Sequence, residues 1–178
     1  DILPLDANHD NIINDKDRRV VGKKDPDFYG GLQTTLSYKG FSLNVVATYS
    51  VGAKRNSYLY ETLMNSTGLD GTHKDMLNRW TPTNTNTDIP RAYSESGRFG
   101  IGEVDWAVQD ASFFRLSAVT LSYTFPRAWM KQVYAENLRL YVTGNNLVTA
   151  TKYKGFDPES GDWYPSSRMW VVGVNLSF

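Results

Sequence analysis

The sequence predicts an all-β chain: about five antiparallel strands, the C-terminal strands of a large transmembrane β-barrel with long extracellular loops. Three observations carry this expectation. Apolar and polar residues alternate with period 2 in five segments, the connections alternate short and long, and the last segment ends on an aromatic residue, Phe178.

In the first segment, 28–38, Phe28, Leu32, Leu36 and Tyr38 share one parity, against Tyr29, Gln33, Thr35 and Ser37 on the other. Lys39-Gly40 then reads as a two-residue turn, and Phe41, Leu43, Val45, Ala47 and Tyr49 oppose Ser42, Asn44, Val46, Thr48 and Ser50. Such a hairpin pairs Tyr38 with Phe41 and Leu36 with Leu43, so the two apolar faces coincide. A third strand, 113–125, turns Val119, Leu121, Tyr123 and Phe125 outward and Thr120, Ser122 and Thr124 inward, and Pro126 stops it. The fourth, 138–148, alternates Leu138, Leu140 and Val142 against Arg139, Tyr141 and Thr143, and weakens beyond Gly144. The fifth, 168–178, is the clearest, with Trp170, Val172, Val174, Leu176 and Phe178 against Met169, Val171, Gly173, Asn175 and Ser177. The connections 39–40 and 127–137 are short, whereas 52–112 and 149–167 are long. Barrels of the outer membrane carry short turns in the periplasm and long loops outside, which places the C-terminus in the periplasm. Within the first long loop, 56–65 and 73–80 have the pattern of short helices.

Composition removes several alternatives. No run approaches the roughly 18 to 20 apolar residues that a membrane-spanning helix needs. A mean hydropathy of -0.45 is compatible with a barrel, because lipid-facing and lumen-facing residues average out. Lys plus Arg equals Asp plus Glu at 19 each, which argues against nucleic acid as a partner. The chain has no Cys, so thiolate catalysis, cysteine-bound zinc and disulfides are absent. Asp1-Ile2-Leu3-Pro4-Leu5 has neither the basic nor the apolar region of a secretory signal, and we therefore expect a piece of a longer chain.

Asp6, Asn8, Asp10, Ile12, Asn14 and Asp17 occupy positions 1, 3, 5, 7, 9 and 12 of an EF-hand-like loop. Calcium takes six to eight oxygens, and this spacing supplies carboxylates, amide oxygens and the Ile12 carbonyl in that order. Position 6 is Asn11 in place of the usual Gly, and Asn is the non-Gly residue that best tolerates positive φ. An acidic turn that holds no ion is the alternative. We expect calcium as a cofactor that staples an extracellular loop.

No other constellation suggests catalysis, and we expect no enzyme. His9 and His73 are isolated, and Asp157, Glu159 and Asp162 read as a solvated polar loop in preference to paired catalytic carboxylates. Trp80, Tyr93, Trp106, Tyr153, Trp163 and Tyr164 lie in the long loops and are candidates for stacking on substrate or on a lid protein. The chain divides at Phe28 into an extracellular loop with the calcium motif, 1–27, and the barrel strands, 28–178.

Several segments together resemble the SusC/RagA family of TonB-dependent transporters, over nearly the whole chain. They are the Asp-x-Asn-x-Asp loop ending in Asp17-Arg18, Asp25-Pro26-Asp27-Phe28-Tyr29-Gly30-Gly31, Arg79-Trp80-Thr81-Pro82, Phe114-Arg115-Leu116 and Lys152-Tyr153-Lys154-Gly155-Phe156-Asp157-Pro158. Terminal Gly173-Val174-Asn175-Leu176-Ser177-Phe178 is similar to the signal that directs barrels to the outer membrane. The resemblance implies a 22-stranded barrel with a plug, driven by TonB, that imports glycans or peptides beneath a SusD-like lipoprotein. It also implies that the remainder of the barrel and the plug are partners of this piece, in the bacterial outer membrane. Two other readings stay open on pattern alone: a secreted calcium-dependent carbohydrate-binding β-sandwich, and a piece of a passive pore.

Overall fold

The computed structural model describes residues 5–64, 71–92, 105–131 and 134–178. Alternation at period 2 becomes five long strands: β1 (Phe28–Tyr38), β2 (Phe41–Val51), β5 (Phe113–Thr124), β6 (Asn137–Thr151) and β7 (Met169–Ser177). They form one antiparallel sheet of order β1-β2-β5-β6-β7. A two-stranded sheet, β3 (Lys54–Asn56) with β4 (Val108–Asp110), rises from the ends of β2 and β5 inside what the sequence presents as plain loop. Among the described residues there are also two helices, α1 (Tyr58–Met64) in the first long loop and α2 (Arg127–Met130) after β5, and 3-10 turns at Asp15–Asp17, Lys74–Asn78 and Asp105–Ala107.

The first hairpin has the predicted register, with Tyr38 opposite Phe41 and Leu36 opposite Leu43. Lys39 and Gly40 both take positive φ, 46° and 89°, as a two-residue turn matched to strand twist requires. Leu43 then faces Leu121, Leu121 faces Val142 and Val142 faces Val172, so the apolar stripe continues across all the later strands. On the opposite face hydroxyl and amide groups bond across strands. Asn44 donates to Thr35 at 2.8 Å, Thr120 and Thr143 share a bond of 2.8 Å, and Arg139 donates to Ser122 at 3.0 Å.

A bulge breaks the simple parity. Ala118 pairs with Val46 and Leu116 with Ala47, leaving Ser117 out of the ladder, and the β5–β6 pairing slips at the same point. An extra residue reverses the faces beyond it. Leu116 and Phe114 therefore join the apolar side, opposite Val148 and Ala150, while Arg115 and Phe113 turn to the polar side. Odd-number parity carried back from Val119 would have put Arg115 in the apolar stripe. A hydrogen bond of 2.9 Å between the Ser117 and Thr48 hydroxyls fastens the bulge.

No second sheet covers the apolar side among the described residues. Leu32, Leu36, Val172 and Val174 are each more than half exposed. A sandwich would bury this stripe against an opposing sheet about 10 Å away. The exposed stripe fits a wall that meets hydrocarbon. Strands β1 and β7 are the two edges, and backbone groups unpaired in lipid cost several kcal/mol each, so further strands must complete the sheet in a membrane.

Candidate functional site

Both long connections, β2 to β5 and β6 to β7, emerge at the end of the sheet opposite the Lys39-Gly40 turn. Their sequences are rich in polar residues, yet the structure ties them to each other and to the sheet at three places.

The first tie centres on Arg115, which the bulge has placed on the polar face. Its guanidinium donates twice to the Asp157 carboxylate, at 2.8 and 2.9 Å, and once to Glu159 at 2.8 Å, while Nε donates to the Thr149 hydroxyl at 3.2 Å. The Arg115 and Asp157 side chains are only 7% and 6% exposed. Burial pushes the Asp157 carboxyl up, but the N–H groups of Glu159 and Ser160 and the Arg115 guanidinium outweigh it and hold the acid below its ordinary value. One terminal nitrogen, Nη2, spans both Asp157 oxygens while Nη1 turns to Glu159, so a single guanidinium holds two acids of the second loop. The turn that carries Asp157 is closed by Asp157 and Gly161, whose backbones bond each other at 3.1 and 2.7 Å.

The second tie is Asp162. Its carboxylate accepts from the Ser57 hydroxyl at 3.1 Å, the Leu59 N–H at 2.9 Å and the Tyr153 hydroxyl at 3.0 Å. An acid of the second loop thus caps the start of α1 in the first, the end of a helix whose N–H groups lack internal partners. Tyr153 packs on Ala53 and Ala111, and burial, with the Asp162 charge beside it, pushes its phenol up to about 12. The third tie joins Lys154 to Asp75. The ammonium donates to the Asp75 carboxylate and to the Tyr60 hydroxyl, lies 4.6 Å from the Tyr60 ring centre, and holds the Asp75 acid below its ordinary value.

Beneath these ties Tyr60, Met64 and Met76 form a small core, with Ile89 and Trp106 packed on it. One pocket of about 560 Å³ opens beside it, lined among others by Trp106, Tyr60, Asp88, Lys152 and Lys154. Of the loop aromatics singled out from the sequence, Trp106 lines this pocket with its ring 5.5 Å from that of Tyr60. Trp80 is partly exposed, and its backbone N–H donates to the Ile89 carbonyl. Trp163 and Tyr164 are almost fully exposed. Tyr153 is a buried packing residue with no free surface to offer a partner, and Tyr93 lies outside the described residues. The acids read as a solvated loop behave otherwise: Asp157 is buried and Asp162 is engaged in the α1 cap, while Glu159 keeps an exposed carboxylate.

In the N-terminal loop, Asn11 has a φ of 62°, at the position where an EF-hand-like loop requires a sharp turn. Both Asp6 oxygens accept backbone N–H groups, from Asp10 and Asn11, and both Asp17 oxygens do so from Ala7 and Asn14. Asn8 and Asp10 accept from Asp10 and Ile12, and the Ile12 carbonyl accepts from the Asn14 amide. The donor set is all oxygen, but among the described residues no three acids or histidines converge as a metal-holding group. Arg115, Asp75, Lys154 and Asp162 were not singled out as functional in the sequence, although Arg115 and Lys154 sit inside the two most conspicuous loop and strand motifs. The signal that could have exposed Arg115 is a charged residue at an apolar parity.

No protein-family model matches the chain. The chain is 34% identical over 191 residues to TonB-dependent receptor P3 of Formosa agariphila, covering 98% of this chain and 18% of that protein. It is 28% identical to TonB-dependent receptor SusC of Bacteroides thetaiotaomicron, covering 98% of this chain and 17% of that one. Among solved structures it superposes on the RagAB peptide transporter with a TM-score of 0.76 and 34% identity, over 90% of this chain and 18% of that chain. It thus spans less than a fifth of the length of these relatives. The chain belongs to the SusC/RagA family of TonB-dependent receptors, of which it is a C-terminal part.

Proposed function

We propose that this chain forms one side of the wall and part of the extracellular rim of a TonB-dependent importer in the bacterial outer membrane, taking up glycans or peptides with a SusD-like surface lipoprotein. The observation that carries the reading is the two-faced sheet: a continuous apolar stripe from Leu36 through Leu121 to Val172 stands exposed, while its reverse is a ladder of hydroxyls and amides. Hydrocarbon suits the first and a water-filled lumen the second. Energy would reach the pore from TonB through the plug, and the remainder of the barrel would pair with the β1 and β7 edges. Relatives named for SusC and for peptide transport by RagAB support import as the activity. Uptake of labelled glycans and of labelled peptides by cells with the intact transporter gene, with and without TonB, tests it. Uptake that persists without TonB would favour a passive pore, and absence of uptake for both classes would end the proposal.

Calcium is the proposed cofactor of the N-terminal loop. Asp6, Asn8, Asp10, Ile12, Asn14 and Asp17 would hold the ion through oxygen alone, replacing the backbone N–H bonds that their carboxylates now accept, and the ion would stiffen the loop. Terbium luminescence or calorimetry on the transporter should show saturable binding that D10A and D17A each abolish; unchanged binding in both variants would remove the site from consideration.

A further inference from the structure

We infer that a second cavity, on the polar face of the sheet at its extracellular end, is a subsite for a carboxylate group of the transported substrate, with Arg55 as its anchor. The inference rests on the reading of this face as the lumen. The cavity measures about 420 Å³ and is bounded by Tyr29, Phe113, Pro158, Glu159, Lys24 and Arg55. Tyr29 and Phe113 point to the polar side because they pair with Ser50 on β2, so the cavity lies on the path of anything that passes along this wall.

Its cations are the unusual feature. Arg55 projects from β3, is partly buried, and makes no hydrogen bond or ion pair among the described residues. A guanidinium carries five N–H donors in a rigid plane, and drawing it partly out of water without an acceptor is costly. Lys24 also has no ion pair among the described residues, whereas its neighbour Lys23 is paired with Asp27. The one acid on the cavity wall, Glu159, accepts from Arg115 at 2.8 Å. Arg55 and Lys24, neither in an ion pair among the described residues, thus share the cavity wall with one acid whose carboxylate is turned toward Arg115. A carboxylate is the group whose two oxygens match the guanidinium fork, and Phe113 and Tyr29 add aromatic surface to the cavity wall beside it. The carboxylate could belong to a uronic acid unit of a glycan or to an acidic peptide; the shared chemistry is the same.

The test uses the full-length transporter that contains this segment, purified in detergent, with four probes: a galacturonate tetrasaccharide, maltotetraose, an Asp-containing pentapeptide, and the same peptide with Asn for Asp and an amidated terminus. At low salt at least one acidic probe should bind more tightly than its uncharged counterpart. R55Q should weaken that probe about 10- to 100-fold, K24Q less, and R55K in between, with uncharged probes changed less than about twofold. Which acidic probe responds assigns the source of the carboxylate. Equal binding of acidic and uncharged probes, an R55Q variant that leaves acidic binding intact, or one that weakens all probes alike would each overturn the subsite. Charge-selective binding without uptake in cells would instead overturn the import reading and leave the subsite standing, while normal uptake with no effect of R55Q would do the reverse.

Discussion

The sheet and the loop crown reach order by opposite routes. Across the sheet the same contacts recur at every second residue of five strands, so no single side chain decides the register: Leu36–Leu43, Leu43–Leu121, Leu121–Val142 and Val142–Val172 all enforce the same alignment. In the crown, order depends on a few polar residues, each used once. Arg115, Asp162 and Lys154 join segments more than forty residues apart or bridge separate loops, and no repeat stands behind them. A redundant structure should tolerate loss of one contact and fail only when a face is inverted. A sparse one should fail locally at single substitutions.

The largest effect that could break this contrast lies at Arg115. R115M leaves the Asp157 carboxylate buried without its cation, a loss of about 3–5 kcal/mol for the docked loop. Hydrogen exchange of 152–168 in the transporter should accelerate strongly while β1 and β2 keep their protection; unchanged exchange would show that the crown is more redundant than its contacts suggest. Next comes inversion of a face. L121R puts a charge against hydrocarbon at about 2–4 kcal/mol near the bilayer midplane, whereas T120R faces the lumen and should insert normally. Assembly in membranes, read as heat-modifiable mobility in gels, should fall for L121R alone. Equal assembly of both would remove the distinction between faces.

A smaller effect is expected at Gly173. A Cβ there would run into the Tyr141 ring, so G173A must displace that ring and should cost about 1–2 kcal/mol, visible as a lower melting temperature that Y141A relieves in the double variant. Tyr153 provides a pH test of the crown. Its phenol stays protonated up to about 12 when docked but ionises near 10.0 when released, so the unfolded loop gives up its proton first and docking weakens as pH rises from 10 to 12. Proteolysis at the second loop should therefore increase across that interval and should not do so in Y153F. The smallest effect belongs to Lys154–Asp75, whose ammonium is 44% exposed: K154Q should cost less than about 1 kcal/mol, read as a modest rise in exchange at 74–78 and less still at high salt.

What could be read beforehand follows the same division. The five strands of the main sheet, the Lys39-Gly40 turn and the alternation of short and long connections were legible because each is a local or period-2 property, whereas the short β3–β4 pair inside the first loop was not. So were the two short helical stretches in the first loop, seen as Tyr58–Met64 and Lys74–Asn78. The β5 bulge was not, since one skipped residue changes the face of Arg115 without changing local composition. Nor was the fate of Asp157 and Asp162, because an acid in a Pro-Gly-rich segment looks the same whether it meets water or a buried cation.

By itself the sequence determined a two-faced antiparallel sheet, since period 2 and turn chemistry act between near neighbours and repeat in every strand. The tertiary structure alone decided which charges are spent on holding loops and which stay available. Arg115 has three partners and Arg55 none among the described residues, although the two are the same residue type and both project from strands. The reason is physical: a charge is satisfied by whatever stands within about 4 Å of it, and that distance is set by the packing of remote segments, not by the order of residues along the chain.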